Sequence, residues 1–411
     1  KISMIVKYKK INIKHEYILI FLILVFNYSI GSTLPQYLVS AIILFLFLIK
    51  VIKNSFKVHN LFKEFIDFFP AFMIFTWLYG VIVGITNDVS FKFVFSNFAG
   101  MSLYFIYYFI VIYKLNVFHL YKVIFAAAIV NIMYILFNVI NASSVEVSIG
   151  ELGIRYYYSA GVMVIAPIIS LGFARIFFPK KYFETLPSFN FSSKVLLFIS
   201  IYSLAIATFS KGFFAAFIFI LLIYLLISLF HLTLKGGMSE VSLYFWLGLL
   251  VVVSIVVFLF PIIELISFQY SSSQTGNATR SIQAKLLSDE YSLFGSGLGS
   301  GLTSGYARDQ FLYGFELSYH NLIHKLGIFS LIPLYIYVHT LIMSIYRLVI
   351  RRSIFLSSIA FGLIIFVIPS YGNPMLFSPT FVTLHCLSLF FLSNRANLQY
   401  QKFHIKYKKF S

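Results

Sequence analysis

From Tyr17 to Leu392 the chain repeats one pattern, a long apolar run followed by a short polar break. A hydrocarbon core ~30 Å thick takes about 20 residues of α-helix. The runs predict helices near 17–33, 34–52, 65–86, 93–113, 117–140, 159–178, 195–210, 213–234, 241–262, 320–346, 353–371 and 376–393. A membrane β-barrel would instead show short segments alternating between apolar and polar residues. The pattern is that of an all-α polytopic membrane protein with about twelve transmembrane helices. Residues 1–262 carry spans one to nine, 263–319 form a large loop, 320–393 carry spans ten to twelve, and 394–411 are a basic tail.

Composition agrees: 60% of the 411 residues are hydrophobic, 11% are charged, and the mean hydropathy is +0.92. This is far from the profile of a soluble globular chain. The formal charge of +18 invites a nucleic-acid partner, but its distribution has a simpler cause. With the N-terminus in the cytoplasm, the outside segments hold only Lys92, Arg155, Lys211, Arg280, Lys285, Arg308 and Lys325 of the 31 Lys and Arg. Basic residues beside helix ends set orientation, so this asymmetry puts both termini inside. The basic ends then need no nucleic acid and at most touch anionic lipid. The apolar run after Lys14 lacks a small-residue cleavage site and is expected to be a retained first helix. Cys386, the single cysteine, lies within the last predicted span. One cysteine makes no disulfide within a chain, and this one is expected to pack as a small apolar residue.

The long loop holds an orderly series of segments. A polar run, 271–277, precedes a helix-like segment at 279–294, in which Ile282, Leu286 and Leu293 follow a rough 3.6 period. Glycine-rich 295–305 comes next, then a stretch mixing aromatics with Arg308, Asp309 and Glu316. Such a loop is expected to fold as a cap over the outer face. The glycine run follows no strand and opens no βαβ unit, which excludes a dinucleotide fingerprint. A flexible turn is its expected use.

Polar groups in or beside spans are costly, which makes them functional candidates. The outer face collects Arg155, Lys211, Arg280, Arg308, His320 and His324. Packed together they would form a cationic pocket, with guanidinium forks for phosphate oxygens and a histidine for a proton. Lys211 has an equally good reading as a snorkelling interface residue. His320 has one as a helix cap, and His324 as a packing residue. Arg308 reads as a solvated partner of Asp309. Asp289 and Glu290 read as a solvated helix face. No HExxH, paired cysteines or acidic cluster marks a metal site.

The stretch from Thr279 to Leu331 resembles the core of the O-antigen polymerase and O-antigen ligase superfamily. Arg280 opens an amphipathic segment, GSGLGSG follows, and His320-Asn321 enters a helix that reaches Gly327-Ile328. GIRYYYSAG at 153–161 is similar to the family's arginine before a mid-chain span, and FSKG at 209–212 to its outer hairpin tip. Lys211 replaces an arginine there, Lys325 stands where an acid is common, and the Pro-Asn pair after the mid-chain arginine is missing. The resemblance implies a GT-C-like membrane glycosyltransferase bundle, in the bacterial cytoplasmic (inner) membrane, active on the periplasmic side. Its donor would be an undecaprenyl-diphosphate-linked oligosaccharide. Arg155 and Arg280, helped by Lys211, would hold the diphosphate, and His320 would be the general base, with no metal or cofactor. Polymerisation of repeat units is the expected activity, with a chain-length regulator protein as an expected partner besides membrane lipid. Ligation of the finished glycan to a lipid A core is the runner-up. A lipid-linked oligosaccharide flippase is the alternative of another class, weakened by sparse midspan charge and by the long loop.

Overall fold

The computed structural model describes residues 14–27, 34–53, 61–142, 159–178, 211–235, 275–306, 314–315, 317–351, 353–372 and 375–408. All regular structure among them is helical. We number the helices α1 (His15–Val25), α2 (Leu34–Lys53), α3 (Phe68–Thr86), α4 (Phe91–Met101), α5 (Phe105–Ile112), α6 (Val117–Ala142) and α7 (Ser159–Phe177). They continue as α8 (Lys211–Lys235), α9 (Thr275–Asp289), α10 (Ser318–Leu326), α11 (Leu331–Val349), α12 (Ile354–Ile364), α13 (Pro379–Leu392) and α14 (Asn394–Lys408).

Among the described residues, 6 segments are long and apolar enough to cross a membrane. They are Leu34–Lys53, Phe65–Thr86, Phe91–Ile112, Val117–Ile135, Ser318–Val349 and Ile354–Tyr371. Shorter apolar helices occupy the positions of four further expected spans: His15–Val25, Gly161–Phe177, Ala216–Phe230 and Pro379–Leu392. The protein is a polytopic, all-helical membrane protein. The expected spans at 195–210 and 241–262 lie outside the described residues.

Local chemistry explains several helix ends. Ser378 caps α13 by accepting the Phe381 N–H at 3.1 Å, and Pro379 takes the first helical position, where its missing N–H costs nothing. Gly327, with φ +53, ends α10, and a 3₁₀ turn over Gly327–Ser330 leads into α11. The expected span at 320–346 is therefore two helices, and the His-Asn pair stands on the short first one. The expected span at 93–113 is likewise divided, with a 3₁₀ turn at Ser102–Tyr104 between α4 and α5.

The core is apolar and aromatic, and its helices cross closely where side chains are small. A Cβ added at Gly362 of α12 would lie 2.5 Å from Pro167 Cα of α7. Such contacts bring membrane helices together without a hydrophobic driving force. Within this core a buried polar set joins three spans. Tyr104 Oη lies 2.9 Å from His385 Nδ1 and 3.2 Å from Tyr337 Oη, and His385 Nε2 lies 3.2 Å from Thr340 Oγ1. Thr340 gives its hydrogen to Ile336 O at 2.7 Å. That leaves Nε2 of His385 as the donor to Thr340 Oγ1. Cys386 is buried next to this set, as expected of a packing residue.

The two ends of the bundle differ. At one end, which we call the loop end, residues 290–302 pack against α3, α4 and α10. At the other, the tail end, α14 lies against the starts of α3, α6 and α12. The basic tail is thus a helix up to Lys408. Its Arg395 grips the buried Asp67 with Nη1 at 3.1 Å and Nη2 at 2.9 Å, and Tyr107 adds a short hydroxyl contact. The Lys63 and Glu64 N–H groups also donate to Asp67, each at 2.9 Å.

Candidate functional site

The loop end is built on bare backbone. Leu298 N–H donates to Gly80 O at 2.8 Å, Gly297 N–H to Lys325 O at 2.9 Å, and Ser296 N–H to His324 O at 2.8 Å. Asn87 donates to Ser296 O at 3.2 Å, and Gly299 N–H donates to Asn97 at 3.2 Å. A Cβ at Gly297 would stand 2.1 Å from Gly84 N, and one at Gly299 would stand 2.5 Å from Val94 N. The glycine run is therefore a fixed joint between α3, α4 and α10, where a flexible turn was expected. Its left-handed residues let one backbone lie directly on another.

Lys325 strengthens the joint from below. The side chain is fully buried, donates to Ser300 O at 3.0 Å, and lies 5.5 Å from the centre of the Phe315 ring. The sequence counted this lysine among the outside charges. Glu290 departs from expectation. It is half-buried and accepts from the Thr303 N–H at 2.8 Å and from the Thr303 hydroxyl. Its other oxygen lies 3.6 Å from His324 Nε2. Asp289 alone keeps the solvated helix-face role.

His324 is fully buried edge-on to Phe315, with ring centres 5.8 Å apart. Its Nδ1, and Oδ1 of the buried Asn321 one turn earlier, have no hydrogen-bond partner among the described residues. Two such polar atoms one helical turn apart are unusual in a folded interior.

His320 sits above them, half-buried. Its Nδ1 makes a short hydrogen bond with the Tyr291 hydroxyl, and the two rings stack with centres 6.2 Å apart. Tyr371, at the far end of the α12 span, meets the same imidazole edge-on at 6.2 Å. Burial, and then the neighbouring Tyr371, push the Tyr291 phenol up from its ordinary value, so it stays protonated around neutral pH. Neither tyrosine stood out in a chain with 29 of them. Only the fold puts 291 and 371 beside 320.

Arg280 lies half-buried on α9. That helix packs on α10: Gln283 Oε1, one turn further on, accepts the Leu317 N–H at 3.3 Å, and Leu287 closes a small apolar cluster with Leu302 and Phe315. The structure thus brings the helices of Arg280 and His320 together. Lys211 is the first residue of α8, and its side chain lies outside the described residues. Arg155 and Arg308 lie outside them entirely. Among the described residues, no three His, Cys, Asp or Glu side chains gather as metal ligands would. No protein-family model matches the chain, and no curated protein matches it.

Proposed function

We propose that the protein is a membrane glycosyltransferase that polymerises undecaprenyl-diphosphate-linked oligosaccharide repeat units on the outer face of the bacterial cytoplasmic membrane. The observation that carries this reading is His320, held half-buried between Tyr291 and Tyr371 where the helix bearing Arg280 packs on its own. In this reading the twelve-span, GT-C-like plan is completed by the segments at 195–210 and 241–262, and the loop end faces outward.

The chemistry follows from the side chains. A sugar hydroxyl attacks the anomeric carbon of the donor, the C–O bond to the diphosphate breaks, and the hydroxyl proton leaves with a base. His320 takes that proton on Nε2, which requires Nδ1 to donate to Tyr291 Oη. In that tautomer Tyr291 Oη accepts from Nδ1–H, and a positioned base contributes roughly 10²–10⁴-fold. Arg280, with Arg155 and Lys211, binds the diphosphate and stabilises its growing charge. Ligation to a lipid A core would use the same groups. A flippase would need no histidine poised in this way.

The test uses purified protein, lipid-linked repeat units and a gel of the glycan products. His320→Ala and Arg280→Ala should each remove most polymer while leaving the protein inserted and abundant in the membrane, and Arg280→Lys should restore little. Full activity in His320→Ala would overturn the base assignment. No new glycosidic bond from the unmodified protein, with lipid-linked sugar crossing the bilayer, would favour the flippase.

A further inference from the structure

α14 touches the starts of three spans and follows the end of a fourth. The α6 start donates Val117 N–H to Gln399 at 2.9 Å, and Gln399 returns a bond to Leu115 O at 3.2 Å. Glu64, just before α3, accepts the Asn394 N–H at 2.7 Å and the Arg395 N–H at 3.2 Å, which caps the helix. Ser353, just before α12, makes a short hydroxyl contact with Asn397, and Tyr400 stacks on Phe118 and Phe355 at 5.9 and 5.8 Å. Leu392 ends α13 two residues before α14 begins. The ends of spans mark the membrane surface, so α14 sits at the level of that surface.

Its two faces differ. Ala396, Asn397 and Tyr400 are buried against the spans, whereas Leu398, Gln401 and Lys402 are exposed. Leu398 is 54% exposed, one turn from Lys402, and an exposed leucine beside a lysine suits the boundary of acyl chains and headgroups. Residues 394–411 contain no Asp or Glu. Around α14, Lys53, Lys63, Lys114 and Lys122 are all exposed at the same end. The described acids there are Glu16, Glu64 and Asp67, and the last two are engaged with α14.

We propose that α14 and this belt of lysines form a docking surface for the headgroups of anionic phospholipids. An acidic protein would meet the charge equally well. It would gain nothing from Leu398, and it would have to approach a helix lying level with the membrane surface.

The experiment takes the full chain from bilayers of equal phosphatidylglycerol and phosphatidylcholine and counts the retained lipids by native mass spectrometry. Phosphatidylglycerol should be preferred, and each of Lys114→Gln, Lys122→Gln and Lys402→Gln should lower that preference about fivefold. Lys92→Gln and Lys285→Gln, exposed at the loop end, should leave it unchanged. All five lysines are exposed, so the melting temperatures of the variants should match the unmodified protein. Equal retention of the two lipids would overturn the proposal, as would loss from the loop-end variants alone. Displacement by dilute inorganic phosphate would overturn it in favour of a free-phosphate site, and capture of an acidic protein without lipid preference would overturn it in favour of a protein partner.

Discussion

Gly297→Ala tests whether the glycine run is a joint or a spacer. Gly297 has φ +85, and the new methyl would stand 2.1 Å from Gly84 N and 2.3 Å from Gly84 Cα. Gly305 is the matched control: it has φ +70, and nothing lies within 4 Å of its Cβ position. Alanine in the left-handed region costs about 1–2 kcal/mol at either site. Only at 297 does overpacking add about 1–3 kcal/mol. Separating the backbones also strains the bonds from Gly297 N–H to Lys325 O and from Leu298 N–H to Gly80 O. Each is worth about 0.5–1.5 kcal/mol net. Gly297→Ala should therefore cost about 2–6 kcal/mol more than Gly305→Ala, a large part of the roughly 5–15 kcal/mol that holds a typical protein folded. Reversible unfolding in mixed micelles under increasing SDS measures the difference. Amide exchange at 297 and 298 should quicken in the first variant only. Equal costs for the two variants would mean that the loop does not rest on α3, and the joint would be refuted.

Three further outcomes follow from other contacts. Arg395→Ala should destabilise the protein by about 3 kcal/mol, the low end for a broken buried pair, because Arg395 is 19% exposed and Asp67 keeps other donors. Adding Asp67→Asn should recover part of that loss, and a double-mutant cycle by the same titration would read the coupling. His385→Leu removes one of the two partners of the Tyr104 hydroxyl and the donor to Thr340 Oγ1, which should lower stability by about 1–3 kcal/mol while glycan elongation by the folded fraction persists. Reporter fusions after Gly31, Asn277 and Tyr371 should read outside and those after Asn60, Gly236 and Ser411 inside. A cytoplasmic signal at Asn277 would put the candidate site in the wrong compartment.

Where helices begin and end was largely readable, because one physical cause sets it: apolar runs long enough for a bilayer. The run from Leu34 to Lys53 and that from Phe65 to Thr86 match expectation within a residue or so. The division of the Ser318–Val349 segment was less visible. Gly327 stood in the sequence, yet a glycine inside an apolar pattern breaks a helix only where something occupies the space beside it. Here that something is Leu293 O, which accepts the Ile328 N–H at 2.9 Å. His320 and Arg280 were chosen from local patterns, and the helices that carry them do pack together. The partners of His320 were out of reach, since nothing local in Tyr291 or Tyr371 announces a shared imidazole. The burial of Lys325 was out of reach for a related reason: only tertiary structure supplies a carbonyl and an aromatic face for it.

The two joints at opposite ends of α3 set an order of assembly. The Asn97 partner of Gly299 is 202 residues away in the chain, and the Asp67 partner of Arg395 is 328 away. At about 5–20 residues per second the ribosome takes roughly 10–40 s to deliver the first and roughly 16–66 s to deliver the second. Through that interval the early spans stand in the membrane with Gly80 O awaiting its loop and Asp67 awaiting its cation. The cation that neutralises Asp67 thus arrives 328 residues after the carboxylate itself, and a chain interrupted between the two carries that buried charge without Arg395.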